Sequence, residues 1–247
     1  MKTNIVDLSH VMIPKKMNRE LEIKLLVGDT RPWGRDDPEA RPLVIEHPVD
    51  QRETVPVPDG NYFLMSEIRM NTHAGTHIEI PYHCLKGRKE FTQYPLERLF
   101  GQTVLLRLRG YGPGTCLRLE DVEKAAKGAG GIQKDDIVFI ETGYDQYFFT
   151  DAQAYLHAPY PSEEAVEWIV GHGIKIFGMD VGMIEKPRNP YHTNHLLIME
   201  PGASLIENLA HLDRLRTLRF LTFCFPLAIQ GADSMPIRVV ALEEVEG

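Results

Sequence analysis

Three histidines and one glutamate fall within eleven residues, in His73-Ala-Gly-Thr-His77-Ile-Glu79-Ile-Pro-Tyr-His83. A helix would put His73 and His77 on one face, but Gly75 and Thr76 are poor helix formers and Pro81 stops one. The following His77-Ile-Glu79-Ile instead alternates with a period of two. On a strand alternate side chains share a face, so His77 and Glu79 point one way while Ile78 and Ile80 point into packing. Gly75 allows the chain before them to fold back and bring His73 to the same place. Two imidazoles and a carboxylate then converge, a ligand set that suits Zn²⁺, Mn²⁺ or Fe²⁺ and needs no cysteine. A single histidine is more often an ordinary hydrogen-bonding residue; the spacing here, around a glycine turn, favours a metal.

The elements that must carry this segment are legible in outline. Strands are predicted at Asn4–Leu8, Phe63–Met70, Thr103–Leu108, Asp136–Glu141, Lys175–Gly178, Phe220–Ile229 and Ile237–Leu242; Phe63–Met70 is mixed in polarity, and the last two are strongly apolar and rich in β-formers. Helices are predicted between them: Leu119–Lys127 with Gly128 as a stop, Ser162–His172 with a serine cap and two glutamates in its first turn, and residues 192–199 and 204–213, separated by Pro201-Gly202. Strands alternating with single helices indicate an α/β fold. Residues 14–60, rich in charge and proline, read as an irregular insertion or an arm toward a neighbouring subunit, within one domain spanning 1–247.

Bulk properties narrow the function classes. With 247 residues, 43% hydrophobic and 25% charged, the chain has an ordinary globular balance, which argues against disorder. A net charge of −8 disfavours nucleic acid as a partner. The basic run Arg214-Leu-Arg216-Thr-Leu-Arg219 reads as a solvated face. Cys84, Cys116 and Cys224 are odd in number and far apart, so a disulfide framework is not expected and a reducing compartment is. No apolar leader is visible in the first ten residues, and no run reaches the length of about eighteen apolar residues that a membrane span requires. A cytoplasmic location without membrane partners is the expectation.

The histidine segment resembles the His-x-Gly-Thr-His-x-Asp-x-Pro-x-His signature of the cyclase-like metal-dependent hydrolases, which include bacterial kynurenine formamidase (arylformamidase) and isatin hydrolase. Further stretches are similar to the same family: Asp7-Leu-Ser-His10, Pro95-Leu96 with the Thr103–Leu108 strand, Ile140-Glu-Thr-Gly143, Gly178-Met-Asp180, and Pro226-Leu-Ala-Ile-Gln-Gly-Ala-Asp233 with Pro236-Ile-Arg238. The likeness covers most of residues 4–242 and is weakest over 14–60. It implies a swivelling β/β/α fold, a mixed barrel-like sheet with flanking helices, assembled as a homodimer or homotetramer. It also implies that His195 and Glu207, on a helical segment, join His73, His77 and Glu79 around one or two divalent ions, Zn²⁺ or Mn²⁺. His83 takes the part of general acid/base. Glu79 stands where the signature has aspartate, one methylene longer.

The implied chemistry is hydrolysis of an amide, lactam or lactone in a small organic substrate, with N-formylkynurenine of tryptophan catabolism as the leading named case. The metal polarises the carbonyl and lowers the pKa of its water to about 7, giving the hydroxide nucleophile, and His83 passes a proton to the leaving group. Two other classes fit the ligands: an Fe(II) oxygenase with a two-histidine-one-carboxylate triad, and a metal-dependent binding protein without turnover. Lesser candidates are His192, close enough to His195 to share a helix face, and His10, Asp180, Gln230 and Asp233, which could orient groups around the site. Trp33, Tyr62, Tyr144, Tyr147, Phe148 and Phe149 could wall a pocket. His47, His157, His172 and His211 read as ordinary.

Overall fold

The structure is a computed structural model and describes residues 2–14, 16, 21–27, 43–45 and 65–245. The chain divides into two compact units, Met1–Met12 with Thr72–Gly247, and Ile13–Asn71. After β1 (Lys2–Asp7), the smaller unit holds β2 (Leu21–Val27), β3 (Leu43–Ile45) and β4 (Met65–Met70). These form a three-stranded antiparallel sheet with β2 in the centre. Part of the stretch read as irregular is therefore regular. The candidate residues Trp33, His47 and Tyr62 lie outside the described residues.

The larger unit continues with β5 (His77–Glu79), β6 (Phe100–Arg107), β7 (Cys116–Leu117), α1 (Leu119–Gly128), β8 (Ile137–Glu141), α2 (Ala152–Leu156), β9 (Tyr160–Pro161), α3 (Glu163–Gly171), β10 (Ile176–Met179) and α4 (Thr193–Met199). It ends with β11 (Ser204–Glu207), β12 (Arg219–Phe223), β13 (Ser234–Pro236) and β14 (Val240–Val245). Nine strands make one mixed sheet in the order β1-β14-β12-β6-β8-β10-β11-β5-β13. The four central strands β6, β8, β10 and β11 are parallel, and every other pairing is antiparallel.

Both faces of this sheet are covered, which explains why its central strands read as unbroken apolar runs. In β8, Val138 and Ile140 pack toward α1 and α3, while Ile137 and Phe139 enter a second core on the opposite face. The sheet also curls. Beyond β1, Leu8 N donates to Val239 O at 2.9 Å and Ala210 N donates to Leu8 O at 3.0 Å. Ile237 N, between the edge strand β13 and β14, donates to Thr76 O at 3.0 Å. These bonds draw the two edges toward each other around the second core. Helix α3 begins as its sequence indicates, with the Ser162 hydroxyl accepting from Ala165 N and Glu163 and Glu164 in the first turn.

Two sequence expectations are corrected. Residues 204–213 are not a helix: Ser204–Glu207 is β11, buried throughout and hydrogen-bonded between β10 and β5. Leu205, Leu209 and Leu212 have helical spacing, but Asn208 and His211 adopt left-handed backbone (φ 59° and 57°), which an α-helix does not accommodate. The strand expected over Phe220–Ile229 stops at Phe223, and the Leu227 and Ile229 side chains are exposed beyond it. No helix among the described residues is long and apolar enough to cross a membrane.

Candidate metal centre

Gly75, at φ 62°, turns the chain into β5. The turn is pinned by Thr76, whose hydroxyl donates to Asn208 O at 2.5 Å and accepts from His10 N at 2.9 Å. Ile78 and Ile80 then enter the second core fully buried, and His77 and Glu79 project from the helix-covered face. In the antiparallel pairing of β5 with β11, Glu207 lies opposite His77 and Leu205 opposite Glu79. Directly opposed residues share a face, so register alone sets the Glu207 carboxylate beside the His77 ring. Helix α4 lies against β11 and brings His195 over the same spot.

Glu79 is the hub of the cluster. Its Oε1 lies 2.8 Å from His73 Nδ1 and 3.2 Å from His77 Nε2. Its Oε2 lies 3.5 Å from His195 Nε2 and 3.9 Å from His83 Nε2. The two oxygens of Glu207 lie 3.8 Å from His77 Nε2 and 3.8 Å from His195 Nε2. His77 Nδ1–H donates to Gly75 O at 2.9 Å, which leaves Nε2 as the nitrogen that faces the carboxylates. His83 Nδ1 meets Asp233 Oδ2 at 2.6 Å, and His73 Nε2 lies 3.4 Å from the same oxygen. His195 Nδ1 meets Glu185 Oε1 at 2.7 Å.

Burial grades across the cluster. Glu79, His77, His195 and Glu207 are buried, whereas His73 and His83 keep 22% and 27% of their side chains exposed. The centre therefore has a dry back and an open front. Burial works against charge on Glu79, but the hydrogen bonds from His73 and His77 and the nearby His195 outweigh it and hold its carboxyl below the usual range. For His73, burial is likewise outweighed by Glu79 and Asp233, and the imidazole is pushed upward.

These residues fit a divalent cation. The buried Oε2 of Glu79 has no hydrogen-bond partner, and a buried carboxylate oxygen left so is costly unless a cation answers it. Donor atoms of His77, Glu79 and Glu207 lie within 4.8 Å of one another, and those of His73, Glu79 and His83 do so as well. The two triplets share Glu79, which suits either one ion or two.

The structure thus gathers His73, His77, Glu79, His83, His195 and Glu207 in one place. Asp233 joins them through His73 and His83. The exposed His192 ring sits 5.4 Å from that of His195. His10 and Asp180 are elsewhere. His10 stacks on Phe148 at 3.9 Å, and Asp180 accepts from Thr142 and Gly143. Gln230 is exposed. Tyr144 is buried, Tyr147 packs against it, and Phe149 lines a cavity of about 580 Å³ that none of the six residues touches. His157, His172 and His211 each engage a backbone carbonyl through Nδ1. Glu185 was not foreseen: it lies in an irregular loop ten residues before His195, and no spacing rule links the two.

Known proteins resemble this chain in sequence and in fold. Kynurenine formamidase of Bordetella pertussis is 28% identical over 182 residues, covering 72% of this chain and 80% of that protein. Isatin hydrolase of Roseibium aggregatum is 26% identical over 203 residues, covering 74% and 76%. A solved structure described as a predicted metal-dependent hydrolase from Bacillus stearothermophilus shares the fold, with a TM-score of 0.68 at 22% identity over 99% of this chain and 100% of that one. The family described as putative cyclase matches residues 6–186, nearly three quarters of the sequence and all of the β5 segment, and the chain belongs to that family.

Proposed function

We propose that this protein is a metal-dependent hydrolase of an amide, lactam or lactone bond in a small organic molecule, with arylformamidase chemistry on N-formylkynurenine as its leading specific activity. The observation that carries this reading is Glu79, a buried carboxylate ringed by four imidazoles, with one oxygen lacking any hydrogen-bond donor. His73, His77, Glu79, His195 and Glu207 would hold Zn²⁺ or Mn²⁺. When bound, such an ion supplies Lewis acidity, polarising a carbonyl and lowering the pKa of water to about 7. The two relatives are a formamidase and a hydrolase, which supports hydrolysis of a C–N bond.

The remaining work falls to this chain's own groups. The part-exposed His73 and His83 mark the side from which substrate and water reach the cluster. Asp233 accepts from His83 Nδ1–H, which fixes the tautomer and leaves the Nε2 lone pair on the Glu79 side. There His83 removes a proton as the water oxygen bonds to the carbonyl carbon. It returns that proton to the leaving nitrogen or oxygen as the C–N or C–O bond breaks, giving a carboxylic acid and an amine or alcohol. A positioned acid/base of this kind contributes about 10²–10⁴-fold.

The test is to strip the protein with a chelator, restore Zn²⁺ or Mn²⁺, and assay formamides, lactams and lactones in both states. Hydrolysis that vanishes with the metal and returns with it is expected. Equal turnover by the stripped protein, or no turnover of any panel member by the metal-replete protein, would overturn the proposal.

A further inference from the structure

Glu185 has a larger role than its place in a loop indicates. It is 4% exposed, and both of its oxygens are used. Oε1 accepts from the His195 ring at 2.7 Å and from His195 N at 2.9 Å. Oε2 accepts from Asn194 N at 3.2 Å and from Asn189 Nδ2 at 3.4 Å. Each oxygen already accepts a backbone N–H, so the carboxylate stands as an acceptor; His195 then carries a proton on Nδ1, and Nε2 is the nitrogen that faces Glu79.

The same contacts start helix α4. The first N–H groups of a helix have no partner inside it, and His192, at the cap position with φ 49°, makes no side-chain cap bond. Glu185 meets two of those donors from outside the helix. One carboxylate therefore fixes where the helix begins and which nitrogen of its histidine faces the centre.

We propose that Glu185 is the positioning residue for His195, setting the tautomer, orientation and basicity of that ring and, through it, the affinity of the centre for a divalent ion. This rests on the reading of His195 as a metal ligand. Carboxylates behind metal-bound histidines typically change metal affinity about 10–100-fold when removed.

Glu185→Gln preserves shape but removes the charge, and its amide NH₂ must face either donors on the Asn194 side or those of His195. Glu185→Asp keeps the charge one methylene short. Zn²⁺ affinity of the metal-free full-length protein is measured by competition with a chromophoric chelator. The ¹⁵N spectrum of the imidazoles reports the His195 tautomer, and circular dichroism reports the fold. Glu185→Gln should weaken Zn²⁺ binding about 10–100-fold and mix the His195 tautomers, with the metal-free fold retained. Glu185→Asp should lose less. Unchanged affinity in Glu185→Gln would overturn the inference, as would a Glu185→Asp protein that loses its helical signal together with its affinity, since Glu185 would then serve folding alone. His195→Ala separates the two readings. If it binds Zn²⁺ like the wild type, the ligand assignment fails; if it weakens binding while Glu185→Gln does not, only the role of Glu185 fails.

Discussion

Glu79 and Glu141 are two buried glutamates at the ends of strands in one sheet, and their surroundings differ in kind. Glu141, closing β8, is fully buried; Arg107 Nη1 donates to its Oε2 at 2.5 Å and Arg109 Nε to its Oε1 at 2.5 Å. Guanidinium groups stay charged at every accessible pH and match a carboxylate in shape, so Glu141 is answered permanently and has nothing left to offer a ligand. Glu79 is as well buried, yet its neighbours are imidazoles, which gain or lose a proton and can turn a lone pair toward a metal. A carboxylate paired by arginine is closed to other ligands, whereas one ringed by histidine is able to hold a cation.

The contrast is tested most severely by Glu79→Gln. Metal content and hydrolysis should both fall to background, while the metal-free protein melts within a few degrees of the wild type; retained metal, read by elemental analysis, would remove Glu79 from the centre. Next in size is His83→Ala, expected to keep its metal and lose about 10²–10⁴ in kcat. Loss of the metal in that variant would make His83 a ligand.

Glu141→Gln should behave in the opposite way to Glu79→Gln. It should cost about 3 kcal/mol in urea unfolding, the low end for a broken buried pair because both arginines are part-exposed, and leave metal stoichiometry unchanged. A stable Glu141→Gln protein that has lost its metal would erase the distinction.

His10 is a part-buried imidazole with no carboxylate bonded to it, and burial, reinforced by His211, lowers it to about 4, whereas His73 beside Glu79 is raised. Because His10 binds its proton less readily in the folded chain, its share of stability is present above pH 6.5 and is lost as the pH falls toward 4. That loss is about 2 kcal/mol by pH 5, at 1.36 kcal/mol per pH unit. His10→Phe retains a ring to stack on Phe148 and should flatten the unfolding free energy between pH 7 and 5 by this amount; an unchanged pH slope would refute it. The smallest effect is expected from Glu79→Asp, which keeps the charge and some metal but alters stoichiometry or the Zn²⁺/Mn²⁺ preference. Identical affinities and turnover would show that the extra methylene is silent.

Much of this centre was legible because it is local. The alternation of His77-Ile-Glu79-Ile and the glycine before it describe a turn and a strand regardless of what surrounds them, and both stand in the structure. Helices α1 and α3 were readable for the same reason, α1 through the glycine at its end and α3 through its serine cap and acidic first turn. Segment 204–213 was misread because its apolar spacing suits a helix as well as a buried strand, and the choice depended on β10 and β5 standing on either side. Glu185 left no trace, since a loop carboxylate becomes a helix cap and a ring partner only once the loop has folded back on α4.

The order of residues thus settles which side chains within one strand point together, because a period of two is a property of the backbone itself. It settles too that Gly75 and Pro81 bound the segment. It does not settle that Glu207 faces His77, that His195 presents Nε2 rather than Nδ1, or that Glu79 becomes the shared hub. Those follow from strand register and helix docking between residues more than a hundred positions apart. Lateral pairing is chosen by the burial and hydrogen bonding of the whole sheet, and no short stretch of sequence carries that information.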